Sequence, residues 1–302
     1  MEKTIACIGN LTRDYLFWVD NLPELDDVST VRNYRECFGG RGAIVTCILS
    51  ALGCSTNLIN TIPNSELESL NDFFNSRKGS ISSIEIDEKA NNYNKVFVTI
   101  GKYEENCTSL YFPGDCNKIV PTQRQYSIID KAEFVYFTSH EIVTSIEILK
   151  SININKHCVI VNISSYMLKS YEYLKLLLEK AEIIIGNQLE FKTLLSELGI
   201  SLYVDIFKHF ERLRYFIVTL GADGVYFHSR ENVEIRLPAL KALVKTPVGI
   251  GDAFVSGIIY GEFHGLSPDM SLNIGLKLAT VSIESEESCP TYDEIINSVP
   301  TL

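Results

Sequence analysis

The chain of 302 residues contains no apolar run near the roughly 20 residues that a membrane-spanning helix requires. It opens Met1-Glu-Lys-Thr-Ile-Ala-Cys-Ile-Gly9, straight into a strand pattern, without the basic start and long apolar stretch of a signal peptide, so a cytoplasmic location is expected. Basic charge is scarce: 27 Lys and Arg face 38 Asp and Glu, a formal net charge of -11, which argues against nonspecific nucleic-acid binding. A phosphorylated ligand stays compatible with that balance, because a few local donors outweigh a diffuse field. The eight cysteines form no CxxC pair and the five histidines are dispersed, so no zinc site is read and buried free thiols in a reducing compartment are expected. There is no internal repeat, low-complexity tract or linker, so residues 1–302 read as a single large domain.

What is present is a hydrophobic fraction of 46%, enough for a sizeable core. Residues 4–9 read as a buried strand, 41–53 as a helix ending at Gly53, and Asn57-Leu-Ile-Asn60 as the next strand. From about residue 131 short apolar runs alternate with helical patterns: Phe134-Val-Tyr-Phe137, Val159-Ile-Val-Asn162, Glu182-Ile-Ile-Ile-Gly186 and Tyr215-Phe-Ile-Val-Thr-Leu-Gly221. Such a rhythm predicts an α/β fold with a mostly parallel central sheet and helices on both faces. Two segments, about 15–38 and 94–112, are strand-like but polar on one face, and suit a small antiparallel flap beside that sheet.

The densest chemistry lies at Thr246-Pro-Val-Gly249-Ile250-Gly251-Asp252. Glycines at the start of a helix let backbone N–H groups converge where the helix dipole is positive, an arrangement that suits phosphate-like anions. An acid there makes sense if it takes a proton from a hydroxyl that attacks the phosphate. The plain alternative is a glycine turn with a capping Asp.

Five segments in order resemble the ribokinase-like (PfkB) family of sugar and nucleoside kinases: Gly9-Asn10-Leu-Thr-Arg-Asp14, Phe38-Gly39-Gly40-Arg41-Gly-Ala-Ile44, Asn187-Gln-Leu-Glu190, Val218-Thr219-Leu-Gly221-Ala-Asp-Gly224 and Gly249-Ile-Gly-Asp252. The resemblance implies a ribokinase-like three-layer sandwich with a small β-sheet lid, and transfer of the γ-phosphate of ATP to a hydroxymethyl group. It implies Asp252 as base with Gly249, Ile250 and Gly251 in the anion hole, and Asp14, Asn10, Gly39, Gly40 and Arg41 around the acceptor. It places Asn187, Thr219, Gly221, Gly224 and Thr280 by the nucleotide, with Mg2+ held through water by Glu190 and Asn187. Read alone, Asn187 and Glu190 are better described as a capping box, and a hairpin-like turn explains Thr219–Gly224 equally well.

Departures from the family pattern sit close to these segments. Val248 stands where a hydroxyl is usual, Ile250 where Ala is typical, and Ile44 where an Asn often reaches substrate hydroxyls. They leave open a second reading, a catalytically weakened ligand-binding or regulatory protein. A dinucleotide-dependent oxidoreductase would need G-x-G-x-x-G after the first strand, which Gly9-Asn-Leu-Thr-Arg-Asp14 does not supply. The apolar flap face (Leu16, Trp18, Val96, Val98) is expected to be exposed in a lone protomer, which predicts a homodimer through the lid.

Overall fold

The computed structural model describes residues 3–26, 28–101, 107–116, 118–138 and 142–299. Among them the strands are β1 (Ile5–Ile8), β2 (Thr12–Val19), β3 (Val31–Gly39), β4 (Thr56–Ile59), β5 (Thr61–Pro63), β6 (Glu85–Asp87), β7 (Lys95–Ile100), β8 (Cys107–Phe112), β9 (Phe134–Phe137), β10 (Cys158–Asn162), β11 (Ile183–Asn187), β12 (Tyr215–Thr219), β13 (Val225–Ser229) and β14 (Glu234–Leu237). The helices are α1 (Arg41–Ala51), α2 (Leu67–Asn75), α3 (Gln123–Lys131), α4 (Ile142–Ser151), α5 (Ser165–Leu168), α6 (Tyr171–Lys180), α7 (Gln188–Leu198), α8 (Ile250–His264), α9 (Pro268–Glu284) and α10 (Tyr292–Ser298).

The main sheet has eight strands in the order β14-β13-β12-β11-β10-β9-β1-β4. From β4 to β12 every pairing is parallel, and β13 and β14 finish the edge antiparallel. Strand residues alternate between two cores. Ile5 and Cys7 of β1 join Tyr136, Ile160, α1, α8 and α9 on one face. Ala6 and Ile8 join Phe137, Val161, α4, α6 and α7 on the other. This is why the strands read as unbroken apolar runs: both faces are covered, so neither parity can be polar. The sequence expectation of a three-layer α/β fold is met.

The flap is a second sheet, in the order β3-β2-β7-β8. It is not wholly antiparallel, because β2 and β7 pair in parallel at its centre. Parallel neighbours need a long crossover, and here the chain between them builds α1, β4 to β6 and α2. Asp27 and residues 102–106 of the expected flap lie outside the described residues.

The expectation that one flap face lies exposed is corrected. Leu16, Trp18 and Val98 are buried with Cys37 and Ile100, and Val96 and Val248 pack against them. Val248 belongs to the loop before α8, so the lid's apolar face is covered within the protomer. Trp18 Nε1 also donates to the Lys245 carbonyl at 3.0 Å.

Candidate active site

The carboxyl ends of β1, β9, β10, β11 and β12 share one edge of the main sheet, where open α/β sheets bind ligands. The lid and the start of α8 meet there. Gly249 is the residue before α8 and adopts φ 83, in the left-handed region that favours glycine. A Cβ at Gly249 would fall 2.0 Å from the Ser288 carbonyl oxygen. No side chain caps this helix start, so its first-turn N–H groups are not taken up by a capping side chain. Gly251 differs from Gly249: a Cβ there would meet nothing within 4 Å. Neither internal packing nor backbone conformation requires that glycine, and the space beside it is open.

Asp252 lies in the first turn of α8. It is partly exposed, yet protein crowds it, and that burial is the main reason its pKa is pushed up from 3.8 to about 6. Glu190 and Asp14 push the same way, while Arg41 opposes. The four charged groups therefore converge although they come from a lid strand, α1, α7 and α8.

Arg41 opens α1. Its guanidinium donates to the Ile163 carbonyl at 3.3 Å and to Glu190 Oε1 at 3.2 Å. Burial disfavours its charge, but Asp252 and Glu190 outweigh burial and leave its pKa raised.

Asp14 is the third residue of β2, on the lid, rather than the terminus of the first sheet strand. Thr12 Oγ1 donates to its Oδ1 at 2.6 Å and Ser288 Oγ to its Oδ2 at 2.8 Å. Burial raises its pKa, and these two hydroxyls work against that shift. Gly39 is needed here, since a Cβ would fall 1.9 Å from Asp14 Oδ2. Gly40 caps α1 with φ 96, and Asn10 accepts the Gly42 and Ala43 N–H groups through its carbonyl.

Asn187 and Glu190 form the capping box that the sequence left open: Glu190 N–H donates to Asn187 Oδ1 at 2.9 Å, and Asn187 N–H to Glu190 Oε2 at 2.8 Å. Asn187 is paired in register with Thr219 at the end of β12, and Thr219 Oγ1 donates to the Gly186 carbonyl at 3.4 Å. Gly221 and Gly224 form the tight turn into β13, an antiparallel hairpin. Thr280 lies on α9, with its hydroxyl donating to the Leu276 carbonyl at 2.9 Å. Its hydroxyl is thus engaged in its own helix.

The sequence reading did not find Ser288. It connects the lid to α8, with its hydroxyl on Asp14 and its carbonyl against Gly249. Nothing local marks it, because Glu286-Glu287-Ser288 reads as an ordinary polar turn. Ile44 and Val248 also have structural explanations. Ile44 is buried, with Cδ1 3.3 Å from where a Gly249 Cβ would lie, and Val248 packs on the lid cluster. Neither removes a backbone donor.

The family model described as pfkB family carbohydrate kinase matches residues 2–294. The chain belongs to the pfkB family of carbohydrate kinases. This pfkB-family chain is 26% identical over 209 residues to the 5-dehydro-2-deoxygluconokinase of Listeria innocua, spanning 64% of itself and 62% of that protein. It is 22% identical over 310 residues to the nucleoside kinase of Methanocaldococcus jannaschii, covering 98% and 96% of the two chains. Among solved structures, the nucleoside kinase of Burkholderia thailandensis in complex with inosine superposes with a TM-score of 0.80 at 18% identity, over 97% of this chain and 95% of that one. A ribokinase of Cryptococcus neoformans in complex with ADP gives 0.80 at 15% identity, over 99% and 100%. These likenesses establish the ribokinase-like fold for this pfkB-family member. Among the described residues no helix is long and apolar enough to cross a membrane.

Proposed function

We propose that the protein is an ATP-dependent kinase that phosphorylates a hydroxymethyl group of a sugar or nucleoside, with Asp252 as the general base. The observation that carries this reading is the start of α8: a helix N-terminus without a side-chain cap, facing open space at Gly251, with a partly exposed carboxylate in its first turn. Anion-stabilising donors and a proton acceptor are thereby placed side by side.

In this mechanism the acceptor lies under the lid with its hydroxyls on Asp14, which Thr12 and Ser288 hold in place. Asp252, with a pKa of about 6, is ionised at neutral pH and draws the proton from the attacking hydroxyl. The N–H groups of Ile250, Gly251 and Asp252 and the helix dipole stabilise charge on the transferring group. Arg41 adds a fixed positive charge beside them. The nucleotide occupies the adjoining sheet edge by Asn187, Thr219 and the Gly221–Gly224 turn. Thr280 is assigned to the nucleotide's base end by family resemblance alone.

Magnesium prefers oxygen ligands and keeps several waters. Glu190 has one oxygen on Arg41 and the other on the Asn187 N–H, and Asn187 Oδ1 holds the Glu190 N–H. Among the described residues no group of three or more His, Cys, Asp or Glu is placed to hold an ion. The pair therefore fits Mg2+ through the ion's water shell, using remaining carboxylate lone pairs. When bound, the ion would neutralise phosphate charge.

A homodimer through the lid is part of this proposal, on the face opposite to the one the sequence suggested. Tyr15 stacks on Phe97 with centroids 5.0 Å apart, and Tyr34 on Tyr15 at 6.4 Å. Leu110 is 71% exposed beside them. Such a patch suits self-association, and light scattering in solution tests it, a strict monomer refuting it. The kinase reading is tested by acceptor-dependent ADP release. No turnover of any acceptor alongside clear nucleotide binding would favour the weakened, ligand-binding alternative that Ile44, Val248 and Ile250 motivate.

A further inference from the structure

Arg77 stands two residues after α2 and is only 5% exposed. A guanidinium carries five N–H donors in a rigid plane, and here each of them has an acceptor. Nε donates to the Pro290 carbonyl at 2.9 Å. Nη1 donates to the Phe73 carbonyl at 3.4 Å and to Ser76 Oγ at 3.0 Å. Nη2 donates to Glu287 Oε2 at 2.8 Å and to the Cys289 carbonyl at 2.9 Å. The guanidinium also lies over the Phe73 ring, 4.2 Å from its centroid, and Phe73 packs on Phe38, the residue before Gly39.

Three of these acceptors belong to residues 287, 289 and 290, so the fork fixes the chain on both sides of Ser288. Ser288 is fully buried, its hydroxyl on Asp14 Oδ2 at 2.8 Å and its carbonyl oxygen 2.0 Å from where a Gly249 Cβ would lie. The lid reaches the same turn, since Arg35 of β3 donates to Glu286 Oε2 at 2.7 Å and to Glu287 Oε1 at 3.5 Å. A buried ion pair is poor evidence for stability, because apolar residues of similar volume fill a core as well or better. What the planar fork supplies, and apolar packing does not, is a fixed direction for several acceptors at once.

Resting on the kinase reading above, we propose that Arg77 is a positioning residue of the acceptor site: by holding residues 287 to 290 it aims the Ser288 hydroxyl at Asp14 and keeps the Ser288 carbonyl beside Gly249. One buried guanidinium thereby sets the lid's acceptor-binding carboxylate in register with the start of α8. A hydrogen bond to a charged group corresponds to about tenfold or more in an equilibrium constant, which is the size of effect that a misdirected Ser288 should produce.

The test is a carboxyl-carbon NMR titration of Asp14 in the full chain, its signal assigned by loss in Asp14→Asn, for wild type, Ser288→Ala, Arg77→Lys and the double variant. Lys keeps the charge but not the fork, so the field at Asp14 is preserved. Ser288 and Thr12 donate to the ionised carboxylate and oppose the rise that burial causes. Losing the Ser288 bond should therefore raise the midpoint in Ser288→Ala, and Arg77→Lys should raise it likewise. The double variant should go no further than Ser288→Ala, because Arg77 acts through Ser288. Ser76→Ala removes one acceptor of Arg77 at a partly exposed site; it should shift the midpoint the same way by less, and it decides the matter alone should Arg77→Lys not fold. In turnover with inosine or D-ribose, Arg77→Lys should raise the acceptor KM about tenfold and leave the ATP KM unchanged. A folded Arg77→Lys with a lower Tm and an unmoved Asp14 midpoint would overturn the proposal, as would additive shifts in the double variant. Coupled midpoints with neither acceptor phosphorylated would keep the Arg77–Ser288–Asp14 linkage and count against the kinase reading, whereas turnover with uncoupled midpoints would do the reverse.

Discussion

Replacing Asp252 by Asn should stabilise the protein while disabling it. Burial holds the folded-state pKa at about 6 against 3.8 for the free side chain. Between those values folding binds a proton, so the stability this group contributes is fully present below pH 3.8 and is lost as pH rises through about 6. A shift of about two units at 1.36 kcal/mol each places ~3 kcal/mol of destabilisation on the ionised wild type at pH 7.5. This is an upper bound, because the carboxylate is partly exposed. Asn resembles the protonated acid at every pH and is free of that destabilisation. Unfolding entropy of about 2.1 cal/mol/K per residue converts ~3 kcal/mol into a rise of roughly 5 °C in Tm. Thermal unfolding at pH 7.5 and at pH 5 should show the variant ahead of wild type, with a smaller gap at pH 5. In parallel kcat should fall by about 10²–10⁴. A variant no more stable than wild type at pH 7.5, or a gap that ignores pH, would refute the desolvated-carboxylate argument.

Other outcomes follow from the same geometry. The acid limb of kcat/KM should lie near pH 6, where Asp252 protonates, and Arg41→Met should move it upward because Arg41 lowers that pKa; an unmoved limb would count against their coupling. Gly251→Ala should melt like wild type, its Cβ pointing into open space, yet lose turnover, whereas Gly249→Ala should unfold several degrees lower because of its φ of 83 and the Ser288 carbonyl. Equal melting of the two variants would contradict this. Ser288→Ala should raise the acceptor KM and destabilise by roughly 1–3 kcal/mol, since it removes a hydrogen bond to a buried carboxylate. An unchanged KM would leave Ser288 with a structural role only.

The main sheet was legible in the sequence because strands covered on both faces become continuous apolar runs, as in Phe134–Phe137 and Ile183–Asn187. Local backbone chemistry was legible too: Gly249, Gly251 and Asp252 sit at a helix start as their order implied. What depends on distant pairing was not. The parallel β2–β7 pairing could not be read from two polar-faced segments, because the paired strands themselves lie about 75 residues apart in the chain. The lid's apolar face looked unpartnered because its partner, Val248, lies far along the chain and belongs to a different motif. Ser288 was missed for the same reason, being 274 residues from the Asp14 it holds. The Asn187–Glu190 spacing fitted either a capping box or a metal role, and the capping box is formed.

The most direct test of the central claim is ADP release from ATP and magnesium against a panel of nucleosides and sugars, with wild type and Asp252→Asn side by side. The account predicts acceptor-dependent release that falls by about 10²–10⁴ in the variant. Acceptor-dependent release retained in Asp252→Asn within tenfold of wild type would contradict the assignment of Asp252 as base.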